Sequence, residues 1–230
     1  MVESPTPHNL VATVREQLRR QREAIGQSHA RKLAGPQVSA KLASMTDVAI
    51  QRLLDATLAQ LDTRQADQLR SDIALVALGS HARRQCSPYS DVDLMILHRG
   101  QSGADIASQL RPLTQGVFDA GLQLGHSVRT VTEAVQLARS DTIICTSLID
   151  ARLLAGNREL FESFRGSFST MVRKNSKSLC RSFLEIRAAE RTQYGETVYL
   201  LEPHVKRSRG GMRDLNLLRW LSFAEHGISG

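Results

Sequence analysis

Apolar residues recur at helical spacing in the first quarter of the chain. Leucine and valine residues stand four apart on one stripe of residues 8–27, and this spacing predicts an amphipathic helix. A linker at Gly35 and Pro36 separates this segment from residues 45–61, where apolar residues again recur every three or four positions. We therefore expect two helices before any sheet.

The pattern changes at Ile73 to a short, continuous apolar run. Residues 73–78 are apolar throughout and stop at Gly79, which is typical of a buried strand that ends in a tight turn. The rest of the chain predicts strands at 92–98, 122–130 and 148–155, helices at 104–120 (interrupted at Pro112) and 132–139, and a mostly helical remainder, 158–226, with a loop at 202–211.

This order of elements predicts an α/β (α+β) fold, a small mixed sheet flanked by helices. We expect a helical N-terminal segment at 1–66, a sheet-containing domain at 67–165 and a helical C-terminal segment at 166–230.

Composition narrows the possible classes of protein. No apolar run in the 230 residues approaches the roughly 18 residues of a membrane helix, and no secretory signal is seen, so we expect a cytoplasmic protein without a membrane partner. The net charge is +7, yet aromatic residues make up only 4% and no RNA-binding signature occurs. We therefore expect no nucleic-acid partner. Binding of phosphate-bearing small molecules or of an acidic protein explains the positive charge equally well.

Two aspartates flank the start of the second predicted strand. Asp91 and Asp93 are two residues apart, and because side chains alternate along a strand, both carboxylates project from the same face. Magnesium takes oxygen ligands, usually one or two carboxylates with phosphates and water. We therefore predict that Asp91 and Asp93 are catalytic residues that bind Mg²⁺, with Mn²⁺ as an alternative, together with the phosphates of a nucleoside triphosphate.

A glycine-serine turn precedes this pair. Gly79 and Ser80 end the first predicted strand ten residues before Asp91. Glycine permits close approach of the backbone, and N–H groups with a serine hydroxyl can bind phosphate oxygens. Arg83 or Arg84 adds positive charge, and Ser90 lies in the Ser-Pro-Tyr-Ser turn between the two motifs. Each motif alone is common in solvated loops, but together on adjacent strands they predict a substrate site that includes Gly79, Ser80, Arg83 and Ser90.

These motifs resemble the DNA polymerase β nucleotidyltransferase superfamily, through Gly79-Ser80, ten residues, and Asp91-x-Asp93. The stretches 121–130, 148–156 and 202–215 resemble PII-protein uridylyltransferases in particular. The likeness covers roughly residues 45–226. The turn departs from the Gly-Gly-Tyr-Gly-Arg type sequence that is usual in that family. The resemblance implies a polymerase β-like fold and a C-terminal segment that is truncated relative to the family.

The resemblance also implies a third metal-binding carboxylate from a neighbouring strand, and we assign it to Asp150. A period of two would place Asp150 and Arg152 on one face of the predicted strand 148–155, a carboxylate for metal beside a cation for phosphate. Asp141 and Asp119 are the alternatives.

Basic residues cluster in the loop before the last predicted helix. Positive charge and free N–H groups at a helix start suit a triphosphate or an acidic surface, although a solvated basic loop is the simpler interpretation. With the resemblance, Lys206 and Arg213 become substrate-binding candidates.

The activity that the resemblance implies is Mg²⁺-dependent transfer of UMP from UTP to a PII-type signalling protein, in nitrogen regulation. A nucleotidyltransferase with another nucleotide or acceptor, such as an adenylyltransferase, stays open, as does a non-catalytic relative that binds nucleotide or a partner. None of the seven histidines is followed by aspartate. Because a His-Asp hydrolase site needs clustered His and Asp ligands, we expect no removal of uridylyl groups and no response to glutamine.

Overall fold

The computed structural model describes residues 7–100, 103–194, 199, 201–202 and 204–228. Within these residues, four strands form one mixed sheet: β1 (Ile73–Ala77), β2 (Val92–His98), β3 (Leu124–Thr130) and β4 (Arg152–Gly156). The strand order is β3-β2-β1-β4. β2 and β3 run parallel, whereas β1 pairs antiparallel with both β2 and β4. The predicted mixed sheet with flanking helices is confirmed.

Helices precede, separate and follow these strands. In chain order they are α1 (Pro7–Ala30), α2 (Gly35–Leu58), α3 (Thr63–Asp72), α4 (Gly79–Ala82), α5 (Gly103–Gln109), α6 (Arg111–Asp119), α7 (Val131–Ser140), α8 (Thr142–Leu148), α9 (Arg158–Lys174), α10 (Ser176–Tyr194) and α11 (Met212–His226). Among the helices in the described ranges, none is long and apolar enough to cross a membrane.

The chain divides into two compact units. The first comprises Met1–Glu133 with Ala151–Ser163, and it contains α1 to α6 and the four strands. The second comprises Ala134–Asp150 with Phe164–Gly230, and it contains α8, α10, α11 and most of α7 and α9.

One face of the sheet carries the apolar core of the first unit. Alternate residues of β1 and β2, such as Leu75 and Ile96, belong to one buried cluster with apolar side chains of α1, α2 and α6. Because side chains alternate along a strand, Asp93 lies on the opposite face of β2 from Ile96. The sheet therefore directs a carboxylate away from this core.

The second unit has an aromatic core between helices. Phe183 of α10 lies 6.0 Å from Trp220 of α11 between ring centroids, and Phe168 of α9 stacks on Phe223 at 5.9 Å. Such pairs add to the stability that burial of large side chains provides. The predicted helical character of the C-terminal segment is confirmed.

Two features of the N-terminal helices differ from the prediction. The linker expected at Gly35 is the first turn of α2, with Pro36 in that turn, a position where the missing proline N–H costs no hydrogen bond. Helix α3 was not predicted because it is largely polar. Its start is fixed by Asp62, whose carboxylate accepts from the Gln65 N–H at 2.8 Å.

The prediction of a strand at 148–155 is wrong in its first half. α8 runs to Leu148, and β4 begins only at Arg152. Short apolar runs fit either a strand or a buried helix. Here Asp141 favours the helix, because its carboxylate caps α8 by accepting from the N–H groups of Ile143 at 2.7 Å and Ile144 at 3.0 Å.

Candidate active site

The connection after β1, residues 79–84, is one helical turn between two left-handed residues, and we call it the β1–β2 turn. Gly79 opens it at φ 56° and Arg84 closes it at φ 57°. Glycine adopts this conformation freely, whereas a residue such as arginine does so at a cost of about 1–2 kcal/mol. The turn is joined to β2, because the Leu78 N–H donates to the Asp93 carbonyl at 2.9 Å.

Asp93 lies between two glycines. A Cβ at Gly79 would stand 3.2 Å from Asp93 Oδ2, and a Cβ at Gly125, which pairs with Asp93 in the register of β2 and β3, would stand 3.0 Å from Oδ1. Because both residues are glycine, the two carboxylate oxygens keep space on their flanks. Asp93 is exposed and lies beside the β1–β2 turn.

Asp91 and Ser90 lead into β2. Asp91 is the exposed residue immediately before the strand. Ser90 closes the turn that precedes it, since its Oγ accepts from the Ser87 N–H at 2.8 Å and lies 2.9 Å from Ser87 Oγ. Two exposed carboxylates two residues apart, one of them framed by glycines, provide an oxygen donor set of the kind that Mg²⁺ prefers.

Arg152, predicted to contact phosphate, is bonded to protein groups around the β1–β2 turn. Its guanidinium donates to the carbonyl oxygens of His81 and Ala82, each at 3.2 Å. It also forms a two-point ion pair with Asp47 of α2, at 3.0 and 3.1 Å. Such two-point pairs are stronger and more directional than single contacts, so Arg152 holds the turn to α2.

Asp47 was not among the predicted site residues. Its side chain is only 10% exposed, and its Oδ1 accepts from His81 Nε2 at 2.7 Å. Burial raises the pKa of Asp47, but hydrogen bonds from His81 and Arg152 outweigh burial and lower the pKa to about 2. The carboxylate is therefore ionised at neutral pH. The signal in the sequence was a charged residue inside the apolar stripe of α2.

A second missed residue, Arg187 of α10, organises residues 204–211, which we call the basic loop. Its side chain is 1% exposed. It donates to the carbonyl oxygens of Arg207 at 2.9 Å and Ser208 at 3.0 Å, and its Nε donates to Asp214 at 2.6 Å. Buried guanidinium groups are stable only with such full pairing, so Arg187 fixes the shape of the loop.

Asp214 completes this arrangement. It also accepts from Arg191 at 2.8 Å and from the Gly210 N–H at 2.7 Å. Burial raises the pKa of Asp214, but hydrogen bonds from Arg187 and Arg191 outweigh burial and lower the pKa to about 2.

The two substrate candidates of the basic loop region differ in exposure. Arg213 is half-buried, with its Nε 3.8 Å from Glu190 and its guanidinium 5.9 Å from the centre of the Trp220 ring. Lys206 has an exposed side chain, while its carbonyl accepts from the Arg213 N–H at 3.0 Å. Pro203 of the predicted motif lies outside the described residues. The described contacts therefore tie Arg213 into the second unit and leave the Lys206 ammonium facing solvent.

The prediction that Asp150 shares a strand face with Arg152 is wrong, because Asp150 lies in the turn between α8 and β4, in the second unit. Of the alternatives, Asp141 caps α8 and Asp119 accepts from Gln115 at 3.0 Å. Across the ranges that the structure describes, no group of three or more His, Cys, Asp or Glu side chains is gathered to hold a metal ion. The role of Asp150 as the third carboxylate stays a prediction.

Two family models match this chain, one in each unit. Residues 19–128 match the family model of nucleotidyltransferase DUF294, and residues 181–230 match that of GlnD PII-uridylyltransferase. The bifunctional uridylyltransferase/uridylyl-removing enzyme of Cupriavidus pinatubonensis is 37% identical over 215 residues, which is 94% of this chain. The chain belongs to the PII uridylyltransferase family. Enzymes of the same name from Aromatoleum aromaticum and Cupriavidus metallidurans are 37% and 38% identical over 75% and 68% of the chain.

The chain spans a small part of these members of the PII uridylyltransferase family. It covers 23% of the Cupriavidus pinatubonensis enzyme, 20% of the Aromatoleum aromaticum enzyme and 18% of the Cupriavidus metallidurans enzyme. The β1–β2 turn and Asp93 lie within the first family match, and the basic loop lies within the second. The family that the sequence motifs predicted is confirmed.

Proposed function

We propose that this chain is a nucleotidyltransferase that moves UMP from UTP to a hydroxyl group of a PII-type signalling protein. In this reaction the acceptor oxygen forms a bond to the α-phosphorus while the bond from that phosphorus to the β-phosphate oxygen breaks. Pyrophosphate leaves, and the acceptor proton passes to a base or to water. The reaction requires two pre-formed features, a place for the triphosphate and carboxylates at the reacting phosphate.

The observation that carries this proposal is the Asp93 carboxylate between Gly79 and Gly125. The two glycines leave room at both carboxylate oxygens, since a Cβ at either position would stand within 3.2 Å of one of them. Asp91 and Asp93 are the residues that would hold Mg²⁺, with Asp150 as the proposed third ligand. When bound, Mg²⁺ supplies positive charge that favours deprotonation of the acceptor hydroxyl and departure of pyrophosphate.

The remaining groups bind and orient the triphosphate. Gly79 lets the backbone approach it, and the Ser80 hydroxyl and N–H groups of the β1–β2 turn donate to phosphate oxygens. Arg83 adds positive charge next to them. Lys206 and Arg213 are proposed further phosphate or acceptor contacts. The turn therefore fixes the nucleotide while Asp91 and Asp93 act at the reacting phosphate.

The choice of UTP and of a PII-type acceptor rests on the names of the relatives, which are uridylyltransferase/uridylyl-removing enzymes. With these substrates we expect the protein to act in the cytoplasm.

Radiolabelled UTP and ATP, each with Mg²⁺ and a purified PII protein, test the proposal. We expect label transfer from UTP by the wild-type chain. Asp93→Asn should lower the rate at least about 1,000-fold, because loss of a metal-binding carboxylate removes several kcal/mol of transition-state stabilisation. Asp67→Asn is the matched control, since Asp67 is an exposed aspartate on α3, and it should leave the rate unchanged.

Each other outcome identifies a different function. Transfer from ATP alone would replace UTP by ATP in the proposal. A wild-type chain that binds nucleotide but transfers nothing to the PII protein would support the non-catalytic interpretation. Equal rates for Asp93→Asn and Asp67→Asn would remove Asp93 from the active site.

A further inference from the structure

We propose that Asp47 is a positioning residue: acting through His81 and Arg152, it holds the β1–β2 turn in the geometry that binds the nucleotide. This inference rests on the proposed function, because it concerns the same site. Asp47 lies on α2, outside both the turn and the Asp91-Asp93 motif.

The β1–β2 turn needs support from outside itself. It consists of a single helical turn bounded by Gly79 at φ 56° and Arg84 at φ 57°. A left-handed residue other than glycine persists only where surrounding contacts determine it, and such residues cluster at ligand-binding sites. The contacts made by Arg84 and by α4 therefore provide that support.

The Asp47 carboxylate collects contacts from both ends of this region. His81, inside α4, donates from Nε2 to Asp47 Oδ1 at 2.7 Å. Arg84, the left-handed residue, places Nη2 3.5 Å from Asp47 Oδ2 and 3.2 Å from the Ser44 hydroxyl, also on α2. One carboxylate thus contacts the middle and the end of the turn.

Arg152 extends the same network from β4. It is paired with Asp47 through two nitrogens, and it donates to the carbonyl oxygens of His81 and Ala82 at 3.2 Å. If the carboxylate charge is lost, Arg152 loses the partner that orients it on those carbonyls. The position of α4 relative to the sheet then depends on fewer bonds.

The bond between His81 and Asp47 is the buried centre of the network. The side chains of His81 and Asp47 are 1% and 10% exposed, so little water competes for their hydrogen bond, and such bonds are stronger in a medium of low dielectric constant. The described hydrogen bonds of the Asp47 carboxylate go to the turn and to β4 rather than to Asp91 or Asp93. Asp47 therefore acts on the nucleotide through the turn.

The experiment compares Asp47→Asn with Asp55→Asn, the same chemical change on the same helix. Asp55 is exposed and pairs only at the surface with Arg70, at 2.9 Å. We expect Asp47→Asn to raise the KM and Kd for Mg²⁺-UTP at least about tenfold, since displacement of binding groups by a fraction of an ångström has effects of this order. Its kcat should fall less, and Asp55→Asn should match the wild-type chain in all three constants.

A second pair of variants, both at His81, keeps the test valid if Asp47→Asn folds poorly. His81→Gln retains a nitrogen donor at about the reach of Nε2, whereas His81→Leu removes it. His81 Nδ1 is buried without a hydrogen-bond partner in the described part of the chain, so leucine loses only the bond to Asp47. We expect His81→Leu to raise the KM for Mg²⁺-UTP and His81→Gln to restore it toward the wild-type value.

The outcomes separate this inference from the proposed function. A purely structural role for Asp47 would lower the folded fraction and leave the KM of the folded chain unchanged, which would overturn the inference. Equal KM values for His81→Leu and the wild-type chain would also overturn the inference. The proposed function would still stand if both chains transferred UMP from UTP. If the wild-type chain neither binds Mg²⁺-UTP nor transfers UMP, the proposed function is wrong and this inference is wrong with it.

Discussion

The β1–β2 turn of the first unit and the basic loop of the second unit are supported by the same device. In each, one arginine donates to two successive carbonyl oxygens and also pairs with an aspartate. Arg152 does so in the first unit with Asp47, and Arg187 does so in the second unit with Asp214. Burial raises the pKa of both aspartates, but hydrogen bonds from His81 and Arg152 lower that of Asp47 to about 2, and hydrogen bonds from Arg187 and Arg191 lower that of Asp214 to about 2.

The two devices differ in burial. The Arg152 side chain is 29% exposed, whereas that of Arg187 is 1% exposed. A fully buried arginine contributes mainly to folding stability, because its removal leaves buried carbonyl and carboxylate oxygens without a hydrogen-bond donor. A partly exposed arginine such as Arg152 can hold a binding turn in place, and its removal should cost less folding stability. Arg187 thus supports the fold of the second unit, whereas Arg152 supports the turn that we propose binds the nucleotide.

The largest expected effect is on the stability of the second unit. Arg187→Met should lower the free energy of unfolding by about 3–5 kcal/mol, the usual cost of breaking a buried ion pair. Arg181→Met, an exposed arginine on the same helix, should change it by less than about 0.5 kcal/mol. Fluorescence of Trp220, the single tryptophan and part of the second unit's core, follows unfolding in urea.

The matching change in the first unit sharpens that result. Arg152→Met should cost less stability than Arg187→Met, and amide hydrogen exchange in β1 should report the loss locally. Equal unfolding free energies for Arg187→Met and Arg152→Met would show that the difference in burial between the two arginines has no effect on stability.

The next effect is on acid stability. The pKa of Asp47 is about 2 in the folded chain, below its ordinary value, so its stabilising contribution is complete above about pH 4 and is lost as the pH falls toward 2. Since His81, Arg84 and Arg152 face this carboxylate, the loss should amount to about 2 kcal/mol. Urea unfolding across this range should show a steeper decline for the wild-type chain than for Asp47→Asn, and parallel declines would refute the assignment.

A smaller effect is expected from Gly125→Ala. The added Cβ would stand 3.0 Å from Asp93 Oδ1, so the carboxylate must shift by a few tenths of an ångström, and the transfer rate should fall about tenfold. Gly26→Ala in α1, where a Cβ meets nothing within 4 Å, is the control. A Gly125→Ala rate equal to that of the control would mean that Asp93 does not need this space.

The sequence predicts the parts of the site that are local. β2 was predicted with its observed bounds, and the alternation along it places Asp93 on the face away from the core. The Gly79 turn was predicted because a buried apolar run ended there. These inferences need only neighbouring residues, which is why they hold.

The supporting residues could not be predicted with their partners. Asp47 lies 34 residues from His81 and 105 from Arg152, and the pairing depends on the packing of α2 against the sheet. Arg187 lies four residues after Phe183 on the buried face of α10. A charged residue on an apolar stripe indicates a buried partner, but periodicity alone does not identify which residue that partner is.

The strand that was expected to carry Asp150 shows the other limit. An apolar run of this length fits both a helix and a strand, and the helix cap at Asp141 decided the outcome. The assignment of Asp150 next to Arg152 depended on that strand.

The measurement that tests the account most directly is equilibrium binding of UTP to the 230-residue chain with and without Mg²⁺, by calorimetry. We expect binding that requires the divalent ion, and loss of that requirement together with most of the affinity in Asp93→Asn, while Asp67→Asn binds as the wild-type chain does. Equal affinity for UTP with and without Mg²⁺, unchanged in Asp93→Asn, would contradict a metal-dependent nucleotide site at Asp93 and the β1–β2 turn.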